Sequence, residues 1–235
     1  MNIDISELGL GRLAAPDSRD ENFLARELFR PENIERRYRS WAAHVSSLYQ
    51  ASRPHCVAFS WMHFLVDAPQ THKVVESNPG SASVVIRGTN QMINTEAFYN
   101  DCQLNDEWPG ENYNGTSVRA GAKILKALTL ISEYRWAFTI EDMINCVLTQ
   151  GPVIVGTNWY RGMSIPNEKH FISPSGSLDG GHAYKVDGVN IPSERFRIKN
   201  SWSSSWGNRG FAFIKFDDME RLINEDGEAC IALEA

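Results

Sequence analysis

Gln50-Ala-Ser-Arg-Pro-His-Cys56-Val-Ala-Phe-Ser-Trp-Met-His-Phe-Leu-Val66 stands near the first quarter of a 235-residue chain. From Val57 to Val66 the run is apolar nearly all round, which predicts a helix enclosed in a domain and not one laid on a surface. Ser52 is placed to cap it, and Pro54 suits its first turn. Cys56 then sits in that first turn. The partial positive charge of a helix N-terminus favours thiolate over thiol, the state a nucleophilic cysteine needs.

Working outward, residues 1–40 are polar and broken by Gly9, Gly11, Pro16 and Pro31, and read as an extended lead-in with one short helix. Residues 67–115 are loop-rich, with a helix near Thr95–Leu104 and an Asn/Gly/Glu/Pro-rich loop over 105–115. Thr116 or Ser117 opens an amphipathic helix, and Thr139-Ile-Glu-Asp142 has the spacing that opens another, ended by Gly151-Pro152. Beyond that the period becomes that of strands: Val153–Val155, Ala183–Val189, Phe196–Lys199 and Phe211–Phe216. Helices come first and strands second, so the expected class is α+β with segregated halves.

Composition narrows the function. Apolar residues make up 42% and charged residues 22%, the balance of a globular chain, and the net charge of −6 argues against a nucleic-acid partner. No apolar run approaches the roughly 20 residues that cross a bilayer, and the acidic start lacks the features of a signal peptide, so a cytoplasmic protein without a membrane partner is expected. Cys56, Cys102, Cys146 and Cys230 show no paired spacing, and three of the four read as small buried apolar residues. His44, His63, His72 and His170 have no metal-ligand spacing, and no nucleotide fingerprint occurs, so neither metal nor cofactor is expected. Asn114-Gly-Thr116 reads as a chance sequon, the loop over 110–115 as an ordinary surface loop, and Glu225-Asp-Gly-Glu228 as a solvated turn.

Two downstream segments complete a pattern with Cys56. Gly180-Gly-His182-Ala enters one strand, and Lys199-Asn-Ser-Trp-Ser-Ser-Ser-Trp-Gly-Asn-Arg-Gly210 follows the next. Adjacent strands would set His182 beside Asn200, with two tryptophans nearby. His182 and Asn200 lie 126 and 144 residues beyond Cys56, and Gln50 lies six before it. From Gln50 to Ile214 the chain resembles the papain-like cysteine peptidases, in their compact bacterial and viral form, where a glutamine six positions ahead of the nucleophile and a Lys-Asn-Ser-Trp string are among the most specific features.

The resemblance implies a two-lobed fold in a single domain over 1–235: a lead-in to residue 49, a helical left lobe over about 50–130, an antiparallel β-rich right lobe over about 131–235, and the site in the cleft between the lobes. It implies that Cys56 is the nucleophile, His182 its base and later general acid, and Asn200 the group that orients the imidazole, under Trp202. Gln50 would join the Cys56 backbone N–H in stabilising the oxyanion. The implied reaction is hydrolysis of peptide bonds through a thioester, on an extended polypeptide. A thiol amidase or acyl transferase acting on isopeptide or cell-wall amides is the alternative, and a catalytically silent binding protein a third reading.

Departures from the family pattern are equally specific. Arg53-Pro-His-Cys56-Val57 replaces the family's Cys-Gly-Ser-Cys-Trp, so the first cysteine and its disulfide are missing and Val57 reshapes the cleft. His55 is expected to have at most a minor electrostatic role. About 50 residues precede Gln50, too few for the family's helical prodomain and first strand. The expectation is an enzyme made active, or one that something else restrains, and not a secreted digestive enzyme.

Overall fold

The computed structural model describes residues 8–30, 34–108 and 113–235. Short 3-10 turns at Ser18–Asn22 and Ala25–Leu28 precede strand β1 (Tyr38–Ser40) and helix α1 (Cys56–Val66). Strands β2 (Lys73–Asn78), β3 (Ser81–Val85) and β4 (Met92–Asn94) follow, then helices α2 (Thr95–Asn105) and α3 (Val118–Ala127). The second half contains β5 (Ile131–Trp136), α4 (Ile140–Thr149), β6 (Val153–Tyr160), β7 (Leu178–Asn190), β8 (Arg195–Lys199), β9 (Phe211–Lys215), α5 (Phe216–Asn224) and β10 (Glu228–Glu234).

The large sheet runs β5-β10-β6-β7-β8-β9, antiparallel throughout. β6 pairs with β7 as far as Val186, and β1 takes over that edge at Gly188–Asn190. Side chains alternate across the sheet: Ile154 and Ala183 join the core built on α1, α2 and α3, while Val153, Val155, Tyr184 and Val186 join the one containing residues of α4 and α5. The three-stranded sheet β2-β3-β4 packs on the first of these cores through Ala82, Val84 and Ile93.

Every residue of α1 is buried, as its all-round apolar sequence requires. It threads between the large sheet and α3, and the approach is close: a Cβ at Gly121 of α3 would lie 2.2 Å from Trp61. Ser117 Oγ caps α3 by accepting from Ala120 N–H, and Thr139 Oγ1 caps α4 by accepting from Asp142 N–H, both as the spacing predicts.

Several expectations need correction. Ser52 does not cap α1; His55 stands at the cap with no side-chain bond, because the chain first turns tightly at Gln50–Arg53, with Ala51 at φ 53°. The loop-rich 67–94 region contains β2–β4, which the sequence disguises because five of the six β2 residues face solvent and no apolar alternation appears. In place of the one short helix expected in the lead-in stand two 3-10 turns, Ser18–Asn22 and Ala25–Leu28, and its β1 joins the large sheet. Glu228 does not belong to a solvated turn: it opens β10, and its side chain is 11% exposed against Arg12.

Candidate active site

Cys56 opens α1 with no exposed surface, and Ser60 Oγ, one turn on, donates to its carbonyl at 2.8 Å. Burial pushes its thiol up to about 11, while the N–H groups of Ala183, Gly11 and Val57 and the charge of Arg12 pull the other way. The thiolate expected from the helix terminus is therefore not the favoured form here. Loss of water outweighs the helix end and its neighbouring amides.

His182 and Asn200 meet through strand register. Lys185 of β7 pairs with Lys199 of β8. Continuing one step sets Asn200 across from Tyr184, two residues from His182 and on the same face. The two side chains close a bond of 2.8 Å between His182 Nε2 and Asn200 Oδ1. Asn200 Oδ1 also accepts Ser201 N–H at 2.8 Å, which fixes the orientation of the amide. An amide oxygen can only accept, so Nε2 holds the hydrogen and Nδ1 keeps a free lone pair. Nδ1 is buried and has no hydrogen-bond partner among the described residues. Burial lowers the imidazole to about 4, against the upward pull of Asn200, and so keeps it neutral. Trp202 and Trp159 each stand 4.7 Å from the ring, the first tilted by 32° to it and the second edge-on. Together they seal the His182–Asn200 bond from water.

Gln50 is wholly buried. Its Nε2 donates to Gly9 O and Arg53 O, both at 2.7 Å, and its Oε1 accepts from Ser201 Oγ at 2.5 Å. Its backbone N–H donates to Ser201 O at 2.9 Å, tying the Gln50 turn to the strand end that presents Asn200. His55 faces elsewhere, with its ring 4.0 Å from that of Tyr99, and burial lowers it to about 4. It is neutral near pH 7.

A buried charge cluster sits at the far end of α1. The Asp67 carboxylate receives Lys185 Nζ and, at 2.7 Å, Lys199 Nζ, and accepts His44 N–H at 2.9 Å. Burial pushes Asp67 up, but the two lysines hold it well below the usual carboxylate range. Burial and the neighbouring Lys185 lower Lys199 to about 8. Asp187 joins through Lys185 Nζ at 3.7 Å and also accepts from Arg197 Nε at 2.7 Å. Lys185 lies three residues after His182 and Lys199 one before Asn200. One carboxylate thus joins the helix bearing Cys56 to both strands opposite.

Cys102, Cys146 and Cys230 are free and buried, each thiol pushed up by burial. Thr116 of the sequon is buried, with Oγ1 donating to Asp106 Oδ2 at 2.8 Å. Of the loop read as ordinary surface, residues 110–112 lie outside the described residues. Its end is not ordinary: Thr116 exchanges backbone bonds with Gly11 and Leu13, both 2.9 Å. Ser201, Asp67, Lys185 and the segment Leu8–Leu13 escaped sequence reading. Ser201 was visible inside the Lys199–Trp202 string, and Gly9-Leu-Gly11 as two glycines a residue apart; Asp67 and Lys185 carry no local signal.

No family model matches the chain. A stretch of 82 residues, 34% of the chain, is 28% identical to the cathepsin B-like cysteine proteinase 3 of Ostertagia ostertagi, and spans about half that relative's length. Solved structures match over far more of the chain. Xylellain, a cysteine protease from Xylella fastidiosa, aligns over the whole of both chains with a TM-score of 0.64 at 16% identity. Digestive procathepsin L 3 of Tenebrio molitor larval midgut aligns over 95% of this chain and 83% of its own, with a TM-score of 0.62 at 12% identity. The bromelain protease of Ananas comosus, solved with the E64 inhibitor, covers 82% of this chain and 95% of its own, with a TM-score of 0.55 at 14% identity. The α+β arrangement is therefore the papain-like fold, with helices and antiparallel sheet as the sequence led us to expect.

Proposed function

We propose that the chain is a cysteine peptidase that hydrolyses peptide bonds through an acyl-enzyme thioester, with Cys56, His182, Asn200 and Gln50 as its working groups. The observation that carries this reading is the His182 imidazole, bonded to Asn200 at Nε2 and without a partner at Nδ1 among the described residues, in the strand whose next residue, Ala183, shares an apolar core with Cys56. The names of the aligned proteins support the same chemistry.

In this mechanism Nδ1 takes the thiol proton, and the sulfur attacks the carbonyl carbon of an extended polypeptide. The imidazolium so formed keeps its Nε2–H on Asn200, which holds the ring in place and spreads its charge. The oxyanion meets Gln50 Nε2 and the Cys56 N–H. The tetrahedral carbon then collapses, the amine leaves with the proton from Nδ1, and the acyl group stays on sulfur. Water, deprotonated by the same nitrogen, cleaves the thioester and restores the thiol. The buried tryptophan wall keeps the His182–Asn200 bond strong by excluding water.

The test is a peptide-library digest with the wild-type chain and with Cys56→Ala. Cleavage by the first and not by the second supports the reading. Turnover of isopeptide or cell-wall amides with no peptide cleaved would move the chain to the amidase class, and no turnover after the site is opened would reject catalysis.

A further inference from the structure

Where β1, β7 and β8 run side by side, the large sheet carries a cavity of about 130 Å³ lined by arginines and by no carboxylate. Strand register builds it. Tyr38, Asn190 and Arg195 stand in one row across the three strands, and Ser40, Gly188 and Arg197 in the next row but one. Side chains in such rows share a face. Phe196, between the two arginines, enters the core on the α4 side, so Arg195 and Arg197 turn to the opposite face. Gly188 leaves the middle of its row empty: a Cβ there would lie 3.1 Å from Arg197 Cβ and 3.3 Å from Arg39 O.

Both guanidiniums are held in place. Arg195 lies 4.0 Å over the Phe213 ring, and Arg197 lies 4.8 Å over Phe211. Arg197 also donates from Nε to Asp187 Oδ1 at 2.7 Å and from Nη2 to Trp41 O at 2.8 Å, so its charge is partly answered. Arg195 has no carboxylate partner among the described residues, and Glu194, next to it in the chain, pairs with none of these groups. Stacked guanidiniums are weakly hydrated and lose little freedom on binding, which suits them to anions. Asn190 Oδ1 accepts Ser193 N–H at 3.0 Å, which leaves its NH₂ as the end that can donate. Ser40 and Tyr38 add two hydroxyls. Positive charge gathers here in a chain of net charge −6, with Lys215 across from Arg195 and the exposed Arg36 and Arg37 just ahead of Tyr38.

We propose that this cavity binds a phosphoryl group, free or carried on a polypeptide, between Arg195 and Arg197, with Ser40, Tyr38 and Asn190 as neutral donors. The donor set decides between anions. Two guanidiniums and three neutral donors exceed what the two oxygens of a carboxylate accept, and match the three terminal oxygens of a phosphoryl group. Gly188 lies six residues beyond His182 on β7, about 20 Å along an extended strand. The pocket is therefore separate from the candidate catalytic groups, and its test needs no hydrolysis.

The test titrates the full-length chain with inorganic phosphate, ionic strength being held constant with chloride, and follows backbone amide shifts by NMR. Saturable shifts should centre on Ser40, Gly188 and Asn190. Arg195→Gln should weaken binding about tenfold or more, the usual effect of losing hydrogen bonds to a charged group. Gly188→Ala, which sets a methyl in the cavity, should weaken it as well. One peptide made with phosphoserine, serine or glutamate at the same position then identifies the source. A phosphoserine peptide that binds more tightly than inorganic phosphate assigns a polypeptide carrier, and one that binds no more tightly assigns the free ion; both uphold the pocket. A glutamate or serine peptide that binds as well as the phosphoserine peptide overturns the phosphoryl assignment. Shifts that are absent or centred elsewhere, or an affinity unchanged in folded Arg195→Gln, overturn the site. Should Arg195→Gln misfold, the position of the wild-type shifts decides alone.

Discussion

Asp67, the residue that closes α1, receives the Lys199 ammonium at 2.7 Å, and Lys199 is the residue before Asn200. The helix that presents the sulfur and the strand that presents the orienting amide are thereby joined by one buried ion pair, with Lys185 as its second cation. This contact lies at the opposite end of α1 from the chemistry. Its loss would be felt in the fold first.

Asp67→Asn should therefore destabilise the protein strongly. Two buried ammonium groups would be left with only Asp187, 3.7 Å from Lys185, as a nearby carboxylate, and removing one member of a buried pair costs about 3–5 kcal/mol. The melting temperature should fall by about 10 °C for a chain of this size. Lys199→Met added to Asp67→Asn should restore part of that loss. A single Asp67→Asn variant that melts with the wild type would show that the cluster contributes nothing.

Cys56→Ala and His182→Ala should each abolish turnover, with the double variant scarcely worse than either, because groups that act as one unit are not additive. His55→Ala should retain turnover. Steady-state rates on one cleaved peptide measure this, and loss of activity in His55→Ala with survival in His182→Ala would reverse the assignment of the base.

Gln50→Ala should lower kcat by about 10²–10³, the usual effect of deleting one oxyanion donor. A donor to the oxyanion, placed ahead of the buried helix, would by itself leave folding unchanged. The structure changes that expectation: removing the side chain strands Arg53 O and Ser201 Oγ, and a buried unsatisfied group costs about 1–3 kcal/mol. Rates taken well below the variant's melting temperature separate the two effects.

Acid should destabilise the folded protein across pH 6.5 to 4. His182 and His55 are lowered to about 4 in the folded state, so between these values the unfolded chain binds protons that the folded chain refuses. Stability then rises with pH through this window, and is lost as pH falls through it. Each group contributes on the order of 3 kcal/mol at most. Glu228, raised by burial beside Arg12, acts in the opposite sense. Melting curves at pH 7 and pH 4.5 should show a clear drop, and His182→Gln should lessen it.

Gly121→Ala sets two effects against each other. Alanine improves helix propensity by about 1 kcal/mol, but its Cβ would lie 2.2 Å from the Trp61 ring inside a filled core. Overpacking of this kind costs about 1–3 kcal/mol. Destabilisation should win, as urea titration would record.

Much of this architecture is legible in the residues. The all-round apolar run makes α1 a core helix wherever it occurs, and the strand pattern around Gly180–His182 and Lys199–Asn200 is what brings His182 and Asn200 within one hydrogen bond. What the sequence hides is hidden for physical reasons. β2 faces solvent and lacks a pattern, and β10 begins with Glu228, a charge made tolerable by Arg12, 216 residues earlier, with help from Arg119 and the Val118 N–H. Gly9 and Gly11 looked like breaks in structure. They are contacts, and a glycine required for close approach cannot be told from one that merely bends the chain until the opposing backbone is known.

Because one carboxylate at the end of α1 holds a lysine from each of the strands that carry His182 and Asn200, the spacing of those strands is set from outside the candidate site. A change at Asp67 would shift His182 and Asn200 together against the helix and leave their mutual bond intact. An Asp67 variant that still folds would then work more slowly on every substrate alike, with no change in its order of preference among them.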